Sequence, residues 1–105
     1  MASKYEQLIR SYCSAQGVTI PAGFARRKAN PIAVIRTDLS PAKLVATTWF
    51  KAEDVVYYLQ HLVVPEIGES AAQHLPILDF KSGRELRFTG GARLQELGPL
   101  QLGGP

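Results

Sequence analysis

The first part of the chain carries apolar side chains at the spacing of an amphipathic helix. Apolar residues recur at i, i+3, i+4, i+7 and i+8, so that they share one stripe: Tyr5, Leu8, Ile9, Tyr12 and Cys13. Ser3 and Glu6 match an S-x-x-E capping box, and Gly17 can adopt the left-handed conformation that ends a helix. The pattern predicts a helix over about residues 4–16.

Two pairs of strand-like segments follow later in the chain. IAVIRTD (32–38) and LVATTWF (44–50) are rich in β-branched and aromatic residues, and a turn containing Pro41 joins them. ILDF (77–80) and RELRFT (84–89) are separated by KSG, whose final Gly83 suits a three-residue hairpin loop. We therefore predict two antiparallel hairpins.

A second helical stripe lies between the hairpins, starting just after Phe50. Its apolar members are Val55, Val56, Leu59, Leu62 and Val63. Glu53 and Asp54 occupy its first turn, where the helix dipole favours acidic side chains. We expect this helix to end at Pro65 and residues 66–75 to hold a short third helix.

These elements predict an α+β fold in the order α-β-β-α-(short α)-β-β. A chain of 105 residues is long enough for one self-supporting core. We expect a single domain over residues 1–89, with both helices on one face of a four-stranded antiparallel or mixed sheet. Residues 90–105 are rich in glycine and proline, and we expect a partly flexible tail with one helical turn at residues 92–97.

The first two strands have apolar residues on both faces, although two helices on one side would cover only one face. A second copy of the chain could cover the other face, as could the C-terminal tail. We therefore expect a homodimer that forms through the sheet. The residues expected to take part in self-association are Trp49, Phe50, Ile32 and Val34.

Positive charge is concentrated in the first half of the chain. Residues 1–51 hold eight Lys or Arg and two acids. Residues 52–105 hold four Lys or Arg and seven acids. This asymmetry is compatible with an acidic macromolecular partner, either protein or nucleic acid. The candidate phosphate contacts are the loop residues Arg26, Arg27 and Lys28, together with Arg36, Lys43 and Lys51. A solvated, solubilising loop explains the triplet equally well.

Residues with catalytic or metal-binding chemistry are sparse. Cys13 lies on the apolar helical stripe, where a thiol is inert, and His61 and His74 lack the spacing of paired metal ligands. We therefore predict no catalytic, cofactor-binding or metal-binding residues. A single cysteine and the absence of a long apolar run favour a cytoplasmic protein that makes no membrane contact.

The sequence thus favours a non-catalytic interaction module that self-associates through its sheet and binds another macromolecule. The alternative is a small basic nucleic-acid-binding protein. An enzyme with an unrecognised site is the least supported hypothesis, because the chain contains no catalytic motif.

Overall fold

The computed structural model describes residues 4–21, 32–45, 52–91 and 93–100. The helical elements are α1 (Lys4–Gln16), α2 (Ala52–Tyr58), a π-helical turn (Leu59–Val63), α3 (Val64–Ile67) and α4 (Glu69–Ala72). The strands are β1 (Ile32–Arg36), β2 (Lys43–Val45), β3 (Ile77–Asp79), β4 (Arg84–Phe88) and β5 (Leu94–Pro99). The predicted α+β class is confirmed.

The strands form one five-stranded sheet in the order β2-β1-β3-β4-β5, and every neighbouring pair is antiparallel. Both predicted hairpins are present in the described residues, as the pairs β1–β2 and β3–β4. Strands β1, β3 and β4 are shorter than the sequence pattern suggested. Residues 46–51, which the second predicted strand included, lie outside the described residues.

The prediction of four strands was wrong, because Leu94–Pro99 forms a fifth strand rather than a helical turn. Leu94 lies opposite Phe88 and therefore shares its face of the sheet. This position partly buries Leu94 against the core, which favours the extended conformation over an isolated helical turn. The strand therefore extends the sheet beyond β4.

The prediction that both helices share one face of the sheet was also wrong. A first core cluster joins the sheet to α2 and the π-helical turn, with buried members that include Val34, Val55, Leu59, Ile77 and Phe88. A second cluster joins the sheet to α1: Ile9, Cys13, Ala33, Ile35, Leu44, Leu78 and Phe80. Because successive strand residues point to opposite faces, α1 and α2 cover opposite faces of β1.

This arrangement removes the physical argument for a dimer formed through an uncovered sheet face. Val34 is 0% exposed and packs on the α2 side, so its side chain is not on an open surface. Ile32 is partly buried against the same cluster. Trp49 and Phe50 lie outside the described residues.

The predicted end of α1 is confirmed in detail. Gly17 has φ +68°, in the left-handed region that glycine adopts without strain. The Val18 amide donates a 2.9 Å hydrogen bond to the Cys13 carbonyl, and the Val18 side chain packs against the second cluster. This is the hydrogen bond and apolar contact of a Schellman-type helix end.

The second helical segment continues past Pro65, where we expected it to end. Proline lacks an N–H, and its ring would clash with the carbonyl four residues earlier in a regular α-helix. The π-helical turn lies directly before this point, and the Val64 amide donates to the Leu59 carbonyl across five residues. Pro65 then lies in the first turn of α3, where a missing N–H is tolerated. The segment ends at Gly68, whose φ is +92°.

Candidate functional site

A groove of about 440 Å³ lies on the α2 side of the sheet. Its described lining comes from the start of α2, from the segment around β5 and from three inner strands: Ile32, Ala52, Glu53, Val56, Asp79, Leu86, Arg93, Leu94 and Glu96. Five of these described residues are aliphatic and four are charged. It therefore combines apolar surface with ionised groups.

Strand register explains why these side chains meet. Ile32 lies opposite Asp79, and Leu86 lies opposite Glu96, so each pair shares one face of the sheet. Leu94 is two residues from Glu96 and therefore points to the same side. The first turns of α2 close the groove with Glu53 and Val56.

Negative charge predominates among the described residues that line the groove. Glu53, Asp79 and Glu96 contribute carboxylates, whereas Arg93 contributes the single cation of its described lining. Asp79 also holds the β3–β4 turn, because its Oδ1 accepts hydrogen bonds from the backbone amides of Lys81 and Ser82. No group of three His, Cys, Asp or Glu side chains suited to a metal ion occurs in ranges 4–21, 32–45, 52–91 and 93–100.

Strand β5 forms one edge of the sheet, next to this groove. The opposite edge strand, β2, has three described residues, and Thr19 covers part of it through a parallel bridge to Lys43. The Thr19 amide donates to the Ala42 carbonyl, and the Leu44 amide donates to the Thr19 carbonyl. Among the described residues, β5 is therefore the longer and less covered edge.

The second half of β5 is irregular. Glu96 pairs with Leu86 and Gly98 with Glu85, so Leu97 is the extra residue of a β-bulge. Its side chain is 42% exposed. Pro99, which lacks an amide hydrogen, ends the strand. Regular edge geometry is therefore confined to the first half of β5, which includes Leu94 and Glu96 of the groove.

Arg36, one of the predicted phosphate contacts, is already engaged within the fold. Its Nε and Nη2 donate to Oδ1 and Oδ2 of Asp38, both at 2.7 Å, and its Nη1 donates to the Tyr58 hydroxyl at 2.9 Å. Glu66 Oε2 lies 3.6 Å from Nη2. The Arg36 side chain is only 10% exposed. It links the β1–β2 turn to the helical layer and is not available to a phosphate.

The pKa shifts of Arg36 and Asp38 agree with a structural role for this ion pair. The hydrogen bonds to Asp38 raise the pKa of Arg36 above its already high ordinary value, with a further contribution from Tyr58. The same hydrogen bonds lower the pKa of the Asp38 carboxyl. Both groups are therefore held in their charged forms near neutral pH.

Of the remaining predicted phosphate contacts, the structure describes only one. Lys43 is exposed on β2. Arg26, Arg27, Lys28 and Lys51 lie outside the described residues. Of these five residues, only Lys43 is described, and it does not line the groove.

The cysteine and histidine residues also have local explanations. Cys13 is buried in the second cluster, and desolvation raises the pKa of its thiol to about 11, although nearby Arg10 opposes the shift. His61 stacks on Tyr57 with ring centroids 4.3 Å apart. His74 Nδ1 lies 3.0 Å from the Ser70 carbonyl oxygen.

Sequence reasoning did not identify the groove, because its lining residues are far apart in the chain. The alternation in LQEL, residues 94–97, could have indicated β5, but the neighbouring glycines and prolines favoured a tail. The spacing of Arg36 and Asp38 on either side of Thr37 could have indicated their ion pair.

Comparisons with protein-family models, curated protein sequences and solved structures returned no match to this chain. None of the helices in the described ranges has the length and apolar character needed to cross a bilayer. The functional argument therefore depends on the geometry of the groove and of β5.

Proposed function

We propose that this protein is a non-catalytic interaction module that binds another protein chain through the edge of its sheet. The observation that carries the proposal is the position of β5, a six-residue edge strand beside a 440 Å³ groove. An edge strand presents unpaired backbone groups to which an extended segment can add. The adjoining groove can receive side chains of that segment.

Backbone pairing would supply much of the affinity in this mode of binding, and the groove would supply selectivity. In an added strand, alternate side chains face the α2 side of the sheet, where Leu94 and Glu96 lie. The bulge at Leu97 and the proline at position 99 limit pairing to the first part of β5. The contact is therefore suited to a short segment.

Self-association is a second form of the same contact, in which β5 of another copy supplies the added strand. This keeps the homodimer predicted from the sequence but moves it from the face of the sheet to its edge. Light scattering at about tens of micromolar tests it, because the monomer mass is 11.5 kDa and a dimer has twice that mass. A cytoplasmic setting also belongs to the proposal, since the single cysteine cannot form an intrachain disulfide.

The edge-binding proposal can be tested with peptides selected from a random library on the immobilised chain. Amide hydrogen exchange in residues 94–96 should slow when a selected peptide binds, because its backbone would cover that edge. Failure to select any peptide, or protection confined to the outer face of α2, would overturn the proposal.

Two proline substitutions provide a matched control. In a regular antiparallel strand, successive amides point to opposite sides. Of Gln95→Pro and Glu96→Pro, one therefore removes an amide that faces β4, and the other, the outward substitution, removes an amide that faces away from the sheet. The outward substitution should preserve the melting temperature better and should abolish peptide binding. If the outward substitution leaves both the melting temperature and peptide binding unchanged, edge pairing would be contradicted.

Nucleic-acid binding remains the alternative function, supported by the eight Lys or Arg among residues 1–51 and by the exposed position of Lys43. Arg36 makes no contribution to it, because Asp38 and Tyr58 occupy its guanidinium. A gel-shift titration at about 50 mM salt with single- and double-stranded oligonucleotides tests it. Retardation that disappears when Arg26, Arg27 and Lys28 are replaced by Ala would favour this alternative.

A further inference from the structure

The negative charge of the groove opposes the charge of the chain as a whole. The formal net charge of the protein is +3, yet the described residues that line the groove contribute three carboxylates and one guanidinium. A purely apolar partner would remove water from these ionised groups and would offer no hydrogen bonds in place of those lost to water. The lining therefore favours a partner that carries positive charge.

The apolar part of the groove narrows the chemistry of that partner. Aliphatic surface from Val56, Leu86 and Leu94 lies beside the carboxylates. Lysine and arginine combine a hydrocarbon stem with a charged end, so they can contact both kinds of surface at once. The described carboxylates do not form a group suited to a metal ion. The lining thus suits a basic side chain better than a bare divalent cation.

We infer that the segment added to β5 is basic, with lysine or arginine at the alternate positions that face α2. This inference rests on the proposed edge-binding function and specifies its partner. Ionised ends of the basic side chains lie near Glu53 and Glu96, while their stems cover the neighbouring aliphatic surface. A groove of about 440 Å³ has room for more than one such side chain.

The test uses two short, end-blocked synthetic peptides that alternate threonine with either lysine or glutamate. Threonine favours an extended backbone, so both peptides can pair with an edge strand. Titration calorimetry should give at least tenfold tighter binding for the lysine peptide, and its affinity should fall as salt is added. The glutamate peptide is the charge-reversed control of the same length and spacing.

Substitutions in the groove locate the effect. Glu53→Gln and Glu96→Gln should each weaken binding of the lysine peptide by about two- to fivefold, the range expected for a partly exposed ion pair. Arg93→Gln should strengthen it, because this change removes the cation of the described lining. Glu85→Gln is the matched control, since Glu85 alternates with Leu86 and faces the α1 side.

The outcomes separate this inference from the proposed function. Equal binding of both peptides, with slowed exchange in β5, would preserve edge binding and overturn the basic partner. Tight binding of the lysine peptide that responds equally to Glu85→Gln and Glu53→Gln would overturn the groove as its site. Binding of neither peptide would contradict both. Asp79 is left unchanged, because it also holds the β3–β4 turn.

Discussion

Replacing Asp38 with alanine should destabilise the protein by about 2–3 kcal/mol. The change removes both acceptor oxygens that bind Arg36, each at 2.7 Å. The guanidinium then remains in a side chain that is 10% exposed, with the Tyr58 hydroxyl at 2.9 Å as its nearest remaining acceptor. Its lost hydrogen bonds cannot be replaced fully by water.

The magnitude follows from comparing two limits. Breaking a fully buried ion pair typically costs about 3–5 kcal/mol, whereas an exposed pair contributes about 0–1 kcal/mol. The Asp38 side chain is 16% exposed, and Glu66 lies 3.6 Å from the same guanidinium, so both solvent and a second carboxylate offset part of the loss. The value should therefore fall between these limits.

Urea unfolding, analysed by linear extrapolation, measures this change at neutral pH. Arg36→Met combined with Asp38→Ala is the informative second variant, because it removes the charge together with its partner. The double variant should be more stable than Asp38→Ala alone. A loss below about 0.5 kcal/mol for Asp38→Ala would refute the structural role of the pair.

The same pair determines a dependence on pH. Hydrogen bonding to Arg36 lowers the folded-state pKa of Asp38 below its unfolded value of about 3.9. Its contribution to stability is therefore fully present above that value and is lost as the pH falls through the folded pKa. Asp38→Asn should lack this acid-dependent component, so the stability difference from the wild type should shrink below about pH 4.

Three further predictions concern the core, a turn and the thiol. Ile9→Ala should cost about 2–5 kcal/mol in urea unfolding, because Ile9 is fully buried between α1 and the sheet, whereas exposed Gln7→Ala should be nearly neutral. Gly83→Ala should lower stability by about 1–2 kcal/mol, because φ is +72° there, while Gly91→Ala, with open space around it and no positive φ, should not. The Cys13 thiol, buried and with its pKa raised to about 11, should resist alkylation at neutral pH until denaturant is added; rapid labelling of the native protein would contradict its burial.

Local patterns in the sequence determined the elements that depend mainly on neighbouring residues. The apolar stripe and Gly17 identified α1 and its end, and Gly83 identified the β3–β4 hairpin. These features are set by backbone conformation and by contacts within a few residues. The proline at position 65 was misleading, because a π-helical turn allowed the helix to continue past it.

The face covered by each helix was decided only by the tertiary structure. The sequence showed that β1 is apolar on both sides, but this pattern fits a second chain, a tail or a second helical layer equally well. Burial of Ile9 and Cys13 against Ala33 and Ile35 placed α1 on the face opposite α2. Helix position depends on contacts between distant residues, which hydrophobic periodicity does not specify.

The position of the candidate site was likewise decided only by the tertiary structure. Glu53, Asp79 and Glu96 are separated by long stretches of chain, and only the sheet order and the position of α2 bring them to one groove. The sequence determined their charges and the apolar residues beside them. Tertiary structure decided that they line one surface, because strand register and helix packing set which distant side chains face each other.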